Sequence, residues 1–415
     1  VSDTGSRGDA AALNRGEVAN LLAVLNKDGE EARIVGGAVR NALLNLPVLE
    51  IDVATTAVPQ DVVGRVEAAG WKAVPTGIEH GTITAVIGGK AFEVTTLRRD
   101  VETYGRKATV VFGRDWTADA QRRDFTINAL SLSADGKVHD YVGGLDDIRA
   151  RRVRFIGAPE QRITEDYLRI LRFFRFHAWY GEGAPDAAGL QASIRERTGL
   201  ETLSRERVRM ELMKLLVAPH ATPTLAVMAE AGLLLMVLGG VPLLASFENM
   251  TKVEAATANA PDAVRRLGAL GVFLKEDAQR LAEKLRLSNA EAERLLALEL
   301  WWQVSPSAAD RAARALLYTI GAEAFIDRVL LAWSRAEAGA ADKSWHAFAT
   351  LPQRWTAPAF PLKAADFMRR GIAAGPKLGE VLRAAERAWI AADFPADAAV
   401  LDSLAERAVR DAGGF

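Results

Sequence analysis

At 415 residues the chain exceeds what one hydrophobic core organises, so two or more domains are expected. Hydrophobic residues at 49% and charged residues at 25% are the balance of a folded protein, and a net charge of -1 excludes a global positive field as the means of holding nucleic acid. The absence of cysteine excludes disulfides, thiolate metal sites and a cysteine nucleophile; it leaves oxygen or imidazole ligands for any metal and fits a cytoplasmic location.

The opening stretch VSDTGSRGDAAALNRG lacks a basic start followed by an apolar core, so no secretory signal is expected. Next, ARIVGG reads as a strand running into a glycine turn, AVRNALLNL as a short helix and LEIDVAT as a second strand. The run GTITAVIGGKAFEVTTLR holds two β-branched segments around Gly88, Gly89 and Lys90, which is a hairpin signal, and LSLSADGKVHDYVGG repeats the pattern with Asp135 and Gly136 at the turn. Strand signals stop after Gly144. TEDYLRILRFFRFHAWY predicts one helix with Thr164 as its N-cap, and LSRERVRMELMKLLVAP a second that Pro219 stops. The most apolar run, AGLLLMVLGGVPLLASF, is broken by Gly239, Gly240 and Pro242 and falls short of the roughly 20 residues of a membrane span. It reads as buried helix, turn, helix, and no membrane partner is expected. Farther on, Ser288 and Glu291 form a capping-box pattern, and helical periodicity continues to the end.

Three clusters could carry chemistry. Glu50 and Asp52 alternate on the predicted strand, so both carboxylates leave one face, close enough to share a cation. Magnesium prefers a few carboxylates together with phosphate oxygens, although an exposed strand face could present the same pair of charges. Gly36 and Gly37 let backbone N–H groups approach an anion at a helix start, with Arg40 one turn on, suited to a polyphosphate oxygen. RRDFTINAL gathers Arg123, Asp124 and Asn128 around Phe125 and Ile127, a polar surface with an apolar side that packs inward.

The segments VGGAVRN…LEIDVAT, GIEHGTITAVI…FEVTTLRRD, RRDFTINALSL…VHDYVGGLDDI, RVRFIGAPEQRITEDYLRILRFFRF and LSRERVRMELMKLL occur in the order found in bacterial class II tRNA nucleotidyltransferases. The chain resembles this family of CCA-adding enzymes and poly(A) polymerase relatives over roughly residues 30–220. The resemblance implies an α+β nucleotidyltransferase head with a mixed β-sheet (1–145), then an all-α neck (146–220) carrying a nucleotide-selecting motif, then a helical body and tail (221–415) for tRNA. It implies that the tRNA 3′ hydroxyl attacks the α-phosphate of CTP or ATP, adding C, C and A and releasing pyrophosphate, with two magnesium ions held by Glu50 and Asp52 and a third catalytic acid at Glu93. DNA is not an implied partner.

Asp166 and Arg169, spaced i, i+3, then become the acceptor and donor that read the edge of C or A; an ordinary salt bridge at a helix start is the plain reading of the same pair. Arg123, Asp124 and Asn128 become nucleotide contacts and Arg99 to Gly113 a flexible loop, which Gly105 and mixed charge suit; His80 fits the family pattern but has no evident chemical task and is read as structural. The arginines around the junction, among them Arg151, Arg152, Arg154, Arg172 and Arg175, suit acceptor-stem phosphates. Two positions depart from the family: Glu50 stands where Asp is usual, and Asn41 replaces the acid that follows Arg40, removing a partner for that guanidinium. A partial adder, a poly(A) polymerase, or a non-catalytic RNA-binding descendant are the alternatives.

Overall fold

A computed structural model describes residues 10–104, 107–306 and 310–413. Its contacts divide the chain into two compact units, one ending at Val237 and the other starting at Leu238. Residues 10–220, the expected head and neck, therefore share the first unit as far as they are described.

The head is built on a seven-stranded mixed sheet. Its strands are β1 (Ala32–Val35), β2 (Asp52–Thr55), β3 (Lys72–Gly77), β4 (Thr82–Ile87), β5 (Lys90–Thr96) and, after a separate hairpin, β8 (Ser131–Leu132) and β9 (Val138–His139), in the order β3-β4-β5-β2-β1-β8-β9. Only the β2/β5 pair is parallel. In β4 every second residue (Ile83, Ala85, Ile87) is buried, as are Phe92 and Val94 in β5, so one face of the sheet is apolar and the other is left for polar side chains. The apolar face meets α1 (Gly16–Leu25) and α3 (Pro59–Ala68), whose Leu21, Leu22, Leu25, Val62 and Val66 are buried. Each such side chain contributes about 1.5–3 kcal/mol, which is what fixes the strand register and thereby the open face. The expected β4/β5 hairpin turns through Gly88 and Gly89, both at positive φ, and Ser133 to Gly136 makes the second turn.

Between these lie α2 (Gly37–Leu43) and α4 (Trp116–Gln121), and α5 (Gly144–Arg149) follows. The stretch expected to be a flexible loop, 99–113, instead forms strands β6 (Arg98–Tyr104) and β7 (Lys107–Phe112), paired antiparallel; Gly105 lies outside the described residues. β-branched residues in both segments explain why the backbone pairs with itself.

The neck departs from its expected outline at one place. In place of a single helix from Thr164 to Tyr180 there are two, α6 (Pro159–Glu165) and α7 (Leu168–Tyr180), with Asp166 extended between them at φ -157. Thr164 therefore ends a helix and does not cap one. Pro159 at the first turn of α6 marks the true start. After these come α8 (Ala187–Arg195) and α9 (Arg205–Leu216), the latter ending before Pro219 as expected. Phe125 ties head to neck: its ring lies 4.9 Å from Phe155 and 5.2 Å from Phe176 on α7, centroid to centroid.

Among its described residues the regular elements of the second unit are all helices, from Leu244–Ala256 to Ala398–Gly413, and Ser288 and Glu291 form the expected capping box. Trp333 and Trp389 are core residues. Glu254 is buried and accepts from Arg265 (2.9 Å) and Arg266 (2.8 Å), so these charges are compensated inside the bundle.

Candidate active site

The predicted residues converge. Gly36, Arg40, Asp52, Arg123, Asp124 and Asn128 from the head line a cavity of about 540 Å³ together with Asp166, Arg169, Arg172 and Phe176 from the neck. These residues come from the open face of the sheet, the start of α2, the segment after α4, the break between α6 and α7, and α7 itself.

Asp52 is the first residue of β2 and stands in register with Glu93 of β5, so their side chains leave the same face. Glu50 precedes the strand and does not alternate with Asp52 upon it, contrary to the sequence reading, because β2 begins only at Asp52. Its charge is still felt there. Burial pushes the Asp52 carboxyl above the usual carboxylate range, Glu93 and Glu50 push it further, and Arg123 pulls it back. Among the described residues none of the three acids forms an ion pair, and no three His, Asp or Glu side chains make a complete metal cage.

Gly36 sits at φ +67, a backbone conformation that favours glycine, and a Cβ there would lie 3.1 Å from the Arg123 guanidinium, which would have to shift by a few tenths of an ångström. Arg123 is held by buried Asp119 (Nη2 to Oδ2 3.1 Å) and donates to the Asn128 carbonyl (3.3 Å). Asp124 is occupied from three sides. Arg172 donates to its Oδ2 from Nε (2.9 Å) and Nη2 (2.6 Å), while Asn128 and the Phe125 N–H donate to Oδ1. Burial alone would raise this carboxyl, but Arg172 and these donors hold it below the usual range.

Arg40 is 6% exposed. Asn41 Oδ1 accepts from its Nε (3.1 Å) and Nη2 (2.8 Å), Tyr180 Oη accepts from Nη2 (2.8 Å), and Asn128 Oδ1 accepts from Nη1. The amide at position 41 thus still orients the guanidinium, and the expected loss of a partner does not occur.

The pair expected to read the base does not form the ordinary i, i+3 salt bridge. Asp166 accepts from Arg207 (2.7 Å) and from the Leu168 N–H (3.1 Å), whereas Arg169 donates to Glu165 (2.5 Å) and to the Arg162 carbonyl (2.7 Å). The break between α6 and α7 makes this possible: it frees Asp166 from the helix while Arg169 stays on it. Each group is held by a third party, with both bordering the cavity.

Of the arginines proposed for RNA, Arg172 and Arg175 are engaged internally, Arg175 with Glu211 and stacked 4.2 Å from the Phe176 ring. Arg152 and Arg154 both pair with fully buried Asp147 yet stay 48% and 41% exposed, and Arg151 lies 3.9 Å from Glu182, so these three retain donors for a partner. His80 contributes its carbonyl, which accepts from Arg98. Sequence reasoning missed Asp119, Arg207 and Tyr180. Asp119 was findable, since it lies three and four residues before Arg122 and Arg123; Arg207 and Tyr180 meet their partners 41 and 140 positions away and leave no local signal.

Residues 32–154 match the family model described as "Poly A polymerase head domain", and residues 190–247 match "Probable RNA and SrmB- binding site of polymerase A". The CCA tRNA nucleotidyltransferase 1, mitochondrial, of Danio rerio is 36% identical over 386 residues, covering 89% of this chain and 85% of that protein. The chain belongs to the CCA tRNA nucleotidyltransferase family. A CCA-adding enzyme of Geobacillus stearothermophilus is 40% identical over 220 residues, 52% of this chain and 53% of that one. The crystal structure of the Bacillus stearothermophilus CCA-adding enzyme in complex with CTP superposes with a TM-score of 0.74 at 29% identity, covering 96% of this chain and 98% of that chain.

CCA tRNA nucleotidyltransferases are generally metal-dependent, and the donor set here fits a divalent cation. Glu93 and Glu50 both act on Asp52 without an ion pair to any of the three, and that repulsion would be relieved by a cation that also takes ligands from substrate phosphates. No helix among the described residues is long and apolar enough to cross a membrane.

Proposed function

We propose that this chain adds C, C and A to tRNA 3′ ends from CTP and ATP without a nucleic-acid template, through attack of the terminal 3′ hydroxyl on the α-phosphate. The observation that carries the reading is one cavity bordered by the unpaired Asp52 carboxylate, on which Glu50 and Glu93 act, and by a separately held Asp166 and Arg169.

Glu50 and Asp52, with Glu93 beside them, are the residues that would hold magnesium, two ions in this reading, which when bound would lower the pKa of the hydroxyl and neutralise departing pyrophosphate. The chain's own groups then divide the remaining work. Arg40 and Arg123, with Gly36 and Gly37, receive the triphosphate. Asn128 holds Arg40 with its amide oxygen and Asp124 with its amide nitrogen, so it joins the phosphate end of the site to the neck. Asp124 acts on the nucleotide through Arg172 and Asn128, since its oxygens are already occupied.

Asp166 accepts from the exocyclic amine that C and A share, and Arg169 donates to the neighbouring ring nitrogen; G and U present the opposite pattern at the amine position and are rejected. Arg207 and Glu165 fix the two groups before a base arrives, which lowers the entropy cost of reading it. Arg151, Arg152 and Arg154 are our choice for acceptor-stem phosphates, and 221–415 for the rest of the tRNA. The cysteine-free composition is compatible with the cytoplasm, the location in this reading. Primer extension on tRNAs lacking part of the CCA end tests the reading. Complete ends made from CTP and ATP support it, and no extension removes it.

A further inference from the structure

Five arginines line the cavity, and four of them have a carboxylate in ion-pair contact: Arg123 with Asp119, Arg169 with Glu165, Arg172 with Asp124 and Arg207 with Asp166. Among the described residues, Arg40 has none. Its acceptors are two amide oxygens and a phenol oxygen, all neutral, and it is 6% exposed. The Asp124 carboxylate attracts it only from beyond ion-pair contact, and burial still outweighs that attraction; a buried cation so weakly compensated is costly, and the cost is recovered when an anion arrives. Four of its five N–H bonds are directed at those neutral acceptors, leaving one on Nη1.

Tyr180 contributes twice to this arrangement. Its hydroxyl oxygen accepts from Nη2 at 2.8 Å, and its ring lies 3.9 Å from the guanidinium carbon, a cation–π contact that holds the charge without neutralising it. Tyr180 is also the last residue of α7, a helix of 13 residues. That helix is about 20 Å long, the order of an extended nucleoside triphosphate. Arg169 lies in its first turn with Asp166 just before it, and Phe176 borders the cavity between the two ends.

We propose that Tyr180 is a positioning residue for the triphosphate: it keeps Arg40 aimed and uncompensated, so that one rigid helix sets the distance between the base-reading and phosphate-gripping ends of the site. This rests on the nucleotide-site reading above. The triphosphate is common to CTP and ATP, so the effect of Tyr180 is independent of the base, whereas that of Asp166 and Arg169 is not.

The test uses Tyr180→Phe and Tyr180→Leu in the full chain, with inorganic tripolyphosphate binding followed by calorimetry and KM and kcat measured for CTP and for ATP. The Phe variant keeps the ring and its packing on Phe176 (5.7 Å between centroids) and removes only the acceptor. It is expected to weaken tripolyphosphate binding about tenfold and to raise both KM values by the same factor, with kcat within about twofold and the preference over UTP unchanged. The Leu variant, losing the ring as well, weakens both further. Wild-type tripolyphosphate binding and KM in Tyr180→Phe would overturn the role, as would a change confined to kcat or to base preference. If the unmutated chain itself does not bind tripolyphosphate, the nucleotide-site reading falls too, which distinguishes the two failures.

Discussion

Asp52 on β2 and Glu93 on β5 are register partners across the parallel strand pair, with no ion pair to either among the described residues. Burial raises the proton affinity of Asp52, and the Glu93 carboxylate beside it raises it further. Such an arrangement is unfavourable in the empty fold and favourable once a cation is shared.

The sign of the pH effect follows. The folded state binds the Asp52 proton more tightly than the unfolded state, so stability declines as pH rises from the ordinary value of 3.8 through the raised one. Asp52→Asn is expected to remove this decline and to leave the melting temperature no lower than wild type. Nucleotide transfer should fall by about 10² to 10³-fold, the scale of losing one electrostatic stabiliser. Urea titrations across the mildly acidic range, with and without magnesium, check the first part, and magnesium should also flatten the wild-type decline. A mutant with full transfer would show that Asp52 is not a metal ligand.

Arg169→Ala leaves Asp166 still held by Arg207, so half of the base reader survives in place. Discrimination of CTP and ATP from UTP and GTP should drop by ~1–3 kcal/mol, by analogy with paired donor and acceptor readout of bases in a groove. Affinity for tRNA should change little. Competition assays with mixed nucleotides read the first quantity and filter binding the second; unchanged selectivity would count against the base-reading role.

Arg172→Ala strands a buried carboxylate. Asp124 loses both guanidinium donors and keeps only Asn128 and one backbone N–H, so the fold should lose about 3–5 kcal/mol. Arg172→Lys should recover only part, because the fork places Nε and Nη2 on one oxygen and an ammonium cannot. The Asp124 pKa is held low, so its contribution is present above the ordinary carboxylate value and disappears as pH falls through the folded one. Urea unfolding of the two variants at neutral pH, repeated in acid, measures both effects; equal stability for Ala and Arg would disprove the strut.

The parts of this molecule that read easily are those whose signal is local. Alternation in TITAVI and the Gly88-Gly89 turn specify the hairpin, and the inward Phe125 and Ile127 of RRDFTINAL are buried as their pattern predicts. The α+β head followed by helices is also borne out. What stayed hidden depends on chain folding over distance. Whether Glu50 lies in the strand depends on where pairing with β1 and β5 begins, and pairing starts at Asp52. The break before α7 is invisible to periodicity because Leu168, Leu171 and Phe174 keep their spacing after it. Arg172, taken as a phosphate contact, is claimed by Asp124 from 48 residues away.

The most direct test of the central claim is primer extension with magnesium on two tRNAs, one lacking all of CCA and one ending in CC, with CTP and ATP offered separately and together. The predicted result is a complete CCA end on both, with extension stopping there, and only the CC-ended tRNA growing on ATP alone. Growth that halts at CC, addition of A only, long A tails, or no growth would contradict it.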